Sequence, residues 1–293
     1  MLKIRNLREN EIPPIPSNVA VANRLRRLEF GVLDAGYVRF VDLMGDDGAI
    51  VDAARVSRAA TDRLGEEETG VFLDSLARRG HWSPFEMAEL KFRVKAPIYV
   101  FRQWLRHRTA SVMETSGRYV DSEPAFQSAC GEWRGADGGA PFQSPELGVL
   151  DNLERDAFAA TGTVYQERLR LGVVREQARK DLPLSTYSEA YWKIDLRNLF
   201  NFLRLRLDES AQYEIRQYAK IIGDEIVKPL FPSAYAAFEE HDLNAVRFSR
   251  REAETLREFA ATRRDELVEA AARLGVVEAP RFLNKLGAKE RSR

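Results

Sequence analysis

The sequence predicts an α+β fold without a Rossmann unit. Two strand-like stretches, "GYVRFVDLMG" and the alternating "FEMAELKFRVKAP", are separated by helical periods that never settle into a regular βαβ repeat. No G-x-G-x-x-G follows a strand and no G-x-x-x-x-G-K-[ST] occurs, so the common phosphate-cradling loops are missing.

Each element has its own signal. Residues 1–31 read as an N-terminal extension, with a Pro-rich break at "EIPPIPSN" and a short amphipathic helix in "VANRLRRLEF". Tyr37–Val38 and Phe40–Val41 form a strand that closes at Gly45. Ile50, Ala53, Ala54 and Val56 recur at helical spacing, and a second helix over 66–79 ends at Gly80, a residue common just past a helix end. From Phe85 the pattern alternates through Val94, with a slip near Ala88–Leu90 and a stop at Pro97. "IYVFRQWLRHR" predicts a helix that stacks Arg102 on Arg106 and Gln103 on His107. "SACGEWRGADGGAPFQSP" is an irregular loop. Helices follow over 145–172 and 174–181, and the Tyr, Thr and Trp content of "LSTYSEAYWKI" suits a strand. Residues 195–230 read as two helices broken near 207–210. Beyond about 240 the chain predicts a charged helix and a basic tail.

Bulk composition excludes several classes. Hydrophobic content of 44% with 31% charged residues fits a soluble globular protein. Lys+Arg 45 equals Asp+Glu 45, whereas nonspecific nucleic-acid binders usually carry excess positive charge. No apolar run is long enough for a membrane span and no signal peptide is evident, so the cytoplasm is expected. One cysteine, Cys130, excludes an intrachain disulfide, and its Ser, Ala and Gly neighbours give no reason for a lowered pKa. The three histidines, His81, His107 and His241, are scattered without metal-ligand spacing.

What remains is arginine chemistry. Arg102, Arg106, Arg108, Arg118, Arg179, Arg197, Arg204 and Arg206 lie in or beside segments with aromatic or hydroxyl neighbours. A guanidinium forks onto phosphate and stacks on flat rings. The densest segment, "RHRTASVMETSGRY", adds Ser111, Ser116 and the Gly117 amide as further donors. A solvated basic helix face is the rival reading of such a charge run, but the mixture suits a nucleotide-like ligand better.

That segment resembles the signature of the flavin-dependent thymidylate synthases, R-H-R-x-x-S continuing toward S-x-R-Y. "ARVSRA", "HWSPFEM", "FRVKAPIYVFRQWLRHR", "REQARKDLP" and "LRNLFNFLRLRLDESAQYEIRQYA" resemble the family in the same order, so the likeness covers roughly 32–240. It implies a ThyX-type mixed fold, a central antiparallel or mixed sheet flanked by helices, with 32–240 as catalytic domain and 241–293 as a charged helical extension. It also implies methylation of dUMP to dTMP, with 5,10-methylenetetrahydrofolate giving the carbon and tightly bound FAD, reduced by NADPH, giving the hydride. No cysteine nucleophile is involved, and a homotetramer shares its sites between subunits.

Carried over by resemblance, Gln103, Arg106, Glu114, Ser116, Gly117 and Arg118 would hold dUMP, with Arg179 reaching it from another subunit. Arg206 would sit beside the uracil carbonyl and N3, stabilising negative charge on the ring. Pairing of Arg206 with Asp208 or Glu209, and of Arg179 with nearby Asp181, are the plain alternatives. Ser83, Arg106, His107, Arg108, Glu114, Asp195, Arg197 and Asn201 match the FAD positions. His107, flanked by arginines, is disfavoured as a cation. His81 matches a histidine near flavin and folate, with capping after Gly80 as the equal alternative. With Arg206 and Ser116 it completes the expected catalytic set, and Ser57 and Ser111 would support the site from behind.

Three positions depart from the family pattern. Met113 stands where many relatives carry a polar residue, Asp195 where Asn is frequent, and Ser210 where some have His. Met113 leaves open a relative that binds FAD and nucleotide without turnover. An Arg-rich nucleic-acid-binding protein is the alternative of another class.

Overall fold

Antiparallel pairing organises the chain: one five-stranded sheet runs in the order β1-β2-β3-β5-β4. The computed structural model describes residues 16–56, 64–118, 124–129, 133–135, 142 and 144–286. Contacts divide the chain into two units, one up to Leu243 and one from Asn244 onward.

In the first unit, α1 (Val19–Leu25) precedes β1 (Phe30–Val32) and β2 (Gly36–Met44). Ala22 and Leu25 of α1 join the main core, so the described part of the N-terminal segment packs with the sheet. The β1–β2 turn leaves no room at Gly36. A Cβ there would lie 2.7 Å from the Val32 carbonyl oxygen and 2.8 Å from that of Lys95, and would meet the Tyr218 hydroxyl. Next come α2 (Asp47–Arg55) and α3 (Glu66–Arg78). The expected strand from Phe85 begins later, because Ser83–Met87 forms a 3-10 turn on Pro84 that buries Phe85. β3 (Glu89–Pro97) then alternates as expected, with Leu90, Phe92, Val94 and Ala96 inward. The sequence slip is the join between turn and strand.

α4 (Ile98–Trp104) is shorter than its pattern. Its end tightens into i→i−3 bonds, Arg106 N to the Gln103 carbonyl and His107 N to that of Trp104, so Arg106 and His107 leave the helical register. β4 (Ser111–Glu114), unannounced by alternation, forms the far edge of the sheet with all four residues exposed. α5 (Leu147–Arg170) buries only Tyr165. The helix expected over 174–181 is split into α6 (Arg175–Ala178) and a 3-10 turn, Arg179–Asp181.

β5 (Tyr187–Asp195) pairs with β3 along its whole length, from Glu89↔Asp195 to Pro97↔Tyr187, and with β4 from Ser111↔Lys193 to Glu114↔Ala190. α7 (Leu196–Arg206) and α8 (Tyr213–Lys220) flank the expected break. A π-helical stretch Ile221–Val227, α9 (Lys228–Leu230) and α10 (Pro232–Phe238) complete the unit's main helices. Behind the sheet, Trp104 meets Trp192 at 5.1 Å and 88°, and Phe202 lies 5.1 Å and 5.0 Å from these two rings.

The second unit carries α11 (Arg250–Thr262), α12 (Arg264–Ala271) and α13 (Gly275–Lys285), where the sequence predicted one helix. Ser249 and Glu252 form a capping box at the start of α11. Leu267, Val268 and Ala279 pack on Ala271 and Leu283 in a small core of its own. Among the described residues, no helix is long and apolar enough to cross a membrane.

Asp47 ties two helices of the first unit together. It is 8% exposed and accepts from the Ser233 amide at 2.7 Å and the Ala234 amide at 3.2 Å, satisfying the open first turn of α10. Removing the acceptor with Asp47→Ala should cost about 1–2 kcal/mol of stability, read from urea unfolding at pH 7. Burial raises the Asp47 pKa from 3.8 to about 6, despite the opposing amide bonds. The folded state thus binds the proton more tightly, and this contribution to stability is lost as pH rises from 3.8 to about 6. Asp47→Asn should remove that slope from the pH dependence of unfolding, and an unchanged slope would exclude Asp47 as its source.

Candidate functional site

The ends of α4 and α7 meet. Arg206, the last residue of α7, donates from Nε to His107 Nε2 at 3.0 Å and from Nη2 to the Gln103 carbonyl at 3.1 Å. Neither Asp208 nor Glu209 takes it. Asp208 accepts from the Ser210 amide at 2.9 Å, and the Glu209 carbonyl accepts from Arg216. Burial lowers the Arg206 pKa without threatening its charge. The Gln103 side chain in turn donates to Gln212 Oε1 ahead of α8.

His107 is half-buried, with its ring edge-on to Phe202 at 4.9 Å and 70°. Burial first, and the Arg206 charge second, push its pKa down from 6.5 to about 4. The ring is therefore neutral near pH 7. Since Nε2 accepts from Arg206, the proton resides on Nδ1. The sequence expectation of a neutral His107 holds, although its cause is burial and Arg206 rather than the flanking arginines.

Arg106, His107, Arg108, Asn201 and Arg206 line one cleft of about 300 Å³. Thr109, Ile194, Asn198 and Leu205 complete its lining, which among the described residues holds three arginines and no carboxylate. The cleft suits an anion, and Arg206 is oriented there by two uncharged acceptors.

A second group gathers at β4. Glu114 Oε1 accepts from Ser188 Oγ at 2.7 Å, Ser116 Oγ accepts from the Arg118 amide at 3.3 Å, and Arg118 Nε lies 3.0 Å from Glu176 Oε2. A Cβ on Gly117 would stand 3.1 Å from Arg179 Nη1, so the absent side chain lets that guanidinium approach the backbone. Asp181 pairs with Arg168 and Lys180 rather than with Arg179. Glu114, Gly117 and Arg179 line a larger cavity of about 690 Å³ with Arg93, Lys95 and Lys180. This lining shares no residue with the first cleft, so the expected dUMP residues form two groups within one chain.

Other expected residues are engaged locally. Asp195 caps α7, accepting from the Asn198 amide at 2.9 Å and from Asn198 Nδ2 at 2.7 Å. Arg197 pairs with Glu86. Asn201 Oδ1 accepts from Arg204 at 2.9 Å. Ser83, itself exposed, opens the 3-10 turn. His81 is exposed, and its amide donates to the Leu76 carbonyl at 2.9 Å beyond Gly80 (φ 73°), which is the capping arrangement. Ser111 and Met113 lie on β4, where Met113 is 74% exposed opposite Tyr191. Ser57 and Cys130 lie outside the described residues.

Sequence reasoning missed Asn198, Gln212 and Ser188. The spacing D-x-x-N at the start of α7 was a readable capping signal for the first. The other two depend on strand register and helix packing, which leave no local mark.

Comparison with known proteins accords with this geometry. The family model described as "Thymidylate synthase complementing protein" matches residues 39–233. A flavin-dependent thymidylate synthase of Thermus thermophilus is 50% identical over 236 residues, 78% of this chain and 85% of that protein. One of Treponema denticola is 42% identical over 245 residues, 80% of this chain and 90% of that protein. The crystal structure of a UMP/dUMP methylase, PolB from Streptomyces cacaoi, bound with 5-Br dUMP, superposes with a TM-score of 0.64 at 32% identity, covering 72% of this chain and 97% of that one. Sequence, sheet and site lead to one family: the chain belongs to the flavin-dependent thymidylate synthases.

Proposed function

We propose that the protein converts dUMP to dTMP, with 5,10-methylenetetrahydrofolate as carbon donor and NADPH-reduced FAD as hydride donor. The observation that carries this reading is Arg206, a cation held by neutral acceptors in a cleft lined by no carboxylate among the described residues. Within the domain spanning 32–240, Arg206 would face the uracil ring and stabilise negative charge as C5 becomes nucleophilic. Charge stabilisation takes the place of attack by a thiol. Glu114, Ser116, the Gly117 amide, Arg118 and Arg179 would take the rest of the nucleotide, with the cations on its phosphate. Arg118 would exchange Glu176 for the dianion.

The donor set of the first cleft fits FAD. Arg106 and Arg108 offer charge, Asn201 an amide, and His107 an N–H on Nδ1 that has no acceptor among the described residues. Ser83 and Arg197 would join them, while Asp195 holds the start of α7 in place. When bound, the flavin would supply the hydride for the transferred carbon.

The two groups of dUMP residues support sites shared between copies, within a cytoplasmic homotetramer. Gln103, Arg106 and Arg206 of one copy would face Glu114 to Arg118 of another. Arg179 lies beside Gly117 of its own chain, so it would enter the shared site together with the turn after β4.

The direct test is dTMP formation from dUMP, methylenetetrahydrofolate and NADPH with added FAD. Absence of product while FAD is bound would replace this reading with that of an inactive nucleotide-binding relative. Arg206→Ala should lower kcat about 100-fold or more while leaving the melting temperature near wild type. Cys130→Ala should keep full activity, and a folded but inactive variant would restore the thiol mechanism. Co-expressed Arg206→Ala and Arg179→Ala copies should regain about a quarter of wild-type activity by random assortment, since each intact site takes one half from each copy. Sites built within single chains would regain none.

A further inference from the structure

We propose that His107 is the positioning residue for Arg206, its neutral ring fixing the plane of the guanidinium without neutralising the charge. This inference deepens the proposed function and rests on it for the role of Arg206. An arginine side chain presents five N–H donors and rotates about a long stem. Here two of them are engaged, Nε–H by His107 Nε2 at 3.0 Å and one Nη2–H by the Gln103 carbonyl at 3.1 Å. Two acceptors along one edge of a planar group set its orientation, and among the described residues Nη1 has no hydrogen-bond partner in the cleft that Arg206 lines.

The chemistry of the acceptors matters. Carboxylates hold other oriented arginines among the described residues: Glu189 holds Arg93, Asp181 holds Arg168, and Glu86 holds Arg197. Such a partner orients a guanidinium but cancels much of its field. An imidazole nitrogen and a carbonyl oxygen orient it and leave the field directed into the cleft. The imidazole has one in-plane lone pair, so the direction it imposes is narrow.

The ring itself is held. Phe202 meets it edge-on at 4.9 Å, and Phe202 is buried between Trp104 and Trp192. The backbone helps as well, because the His107 amide donates to the Trp104 carbonyl at 3.0 Å and sets the ring just beyond α4. The bond from Arg206 Nε defines the tautomer: Nε2 must be bare, and Nδ1 carries the proton. Burial and Arg206 keep the ring unprotonated near neutral pH, so the acceptor is present under ordinary conditions.

Three measurements test this on the full-length protein. The first is the ¹⁵N spectrum of histidine-labelled enzyme, assigned with a His107→Gln sample. It should show His107 protonated on Nδ1, and protonation on Nε2 would overturn the proposal whatever the enzyme's activity. The second is turnover per bound flavin. His107→Ala should lose about 10- to 100-fold in kcat while KM for dUMP changes less than about threefold, as expected when a supporting contact of a reacting group is removed. Wild-type kcat in this variant would overturn the proposal, as would a loss confined to KM. The third is rescue: His107→Gln, whose amide oxygen reaches toward the Nε2 position, should recover about tenfold over His107→Ala. A Gln variant no better than Ala, with equal melting temperatures and flavin content, would reduce His107 to packing. A wild-type enzyme that makes no dTMP would sink the functional reading, while the tautomer would still judge the His107–Arg206 bond.

Discussion

Nine uninterrupted pairs between β3 and β5 determine where the chemistry can be. The strands are antiparallel, so the chain leaves the sheet for α4 at Pro97 and for α7 at Asp195, at opposite ends of one ladder. A nine-residue strand is roughly 30 Å long. The seven residues of α4 and eleven of α7 extend about 10 Å and 16 Å. These helices start from opposite ends of the ladder, and their far ends meet. The meeting point is where Gln103 and His107 receive Arg206.

Legibility in the sequence tracked how far each feature depends on neighbours. β3 could be read because one face is buried, and burial writes period two into its residues, while β2 and β5 could be read from their aromatic and β-branched content. β4 could not, because Ser111, Val112, Met113 and Glu114 are all exposed and nothing forces alternation. Phe85 was misassigned to a strand for a related reason: a buried aromatic fits either period until Pro84 turns the chain. The break at Arg263 between α11 and α12 carries neither Gly nor Pro, so one helix was the natural reading. In the site, "RHRTASVMETSGRY" announced a density of donors but not its division into two groups. That division arises from β4, which carries Glu114 to the outer edge of the sheet while Arg106 to Arg108 stay at the end of α4.

Electrostatics is organised by pairing rather than by net charge. The chain is neutral overall, and many of its arginines spend their charge on nearby carboxylates. Asp208 and Glu209 sit two and three residues beyond Arg206, yet Ser210 engages the first and the backbone of the second serves Arg216. Keeping acids away from one arginine is therefore a property of the loop after α7. Asp195 plays the complementary part, since its charge is absorbed by the opening amide of α7 and by Asn198.

The brevity of β4 has a consequence for solubility. A sheet edge is a row of unsatisfied backbone donors and acceptors, and a long apolar one recruits further chains into fibrils. Here that edge bears exposed Val112 and Met113, but the ladder is four residues long and ends in a carboxylate, Glu114. So short a template gives an incoming strand few bonds to repay its loss of freedom. The chain can thus keep a reactive border open for its own purposes while remaining a poor seed for disordered growth.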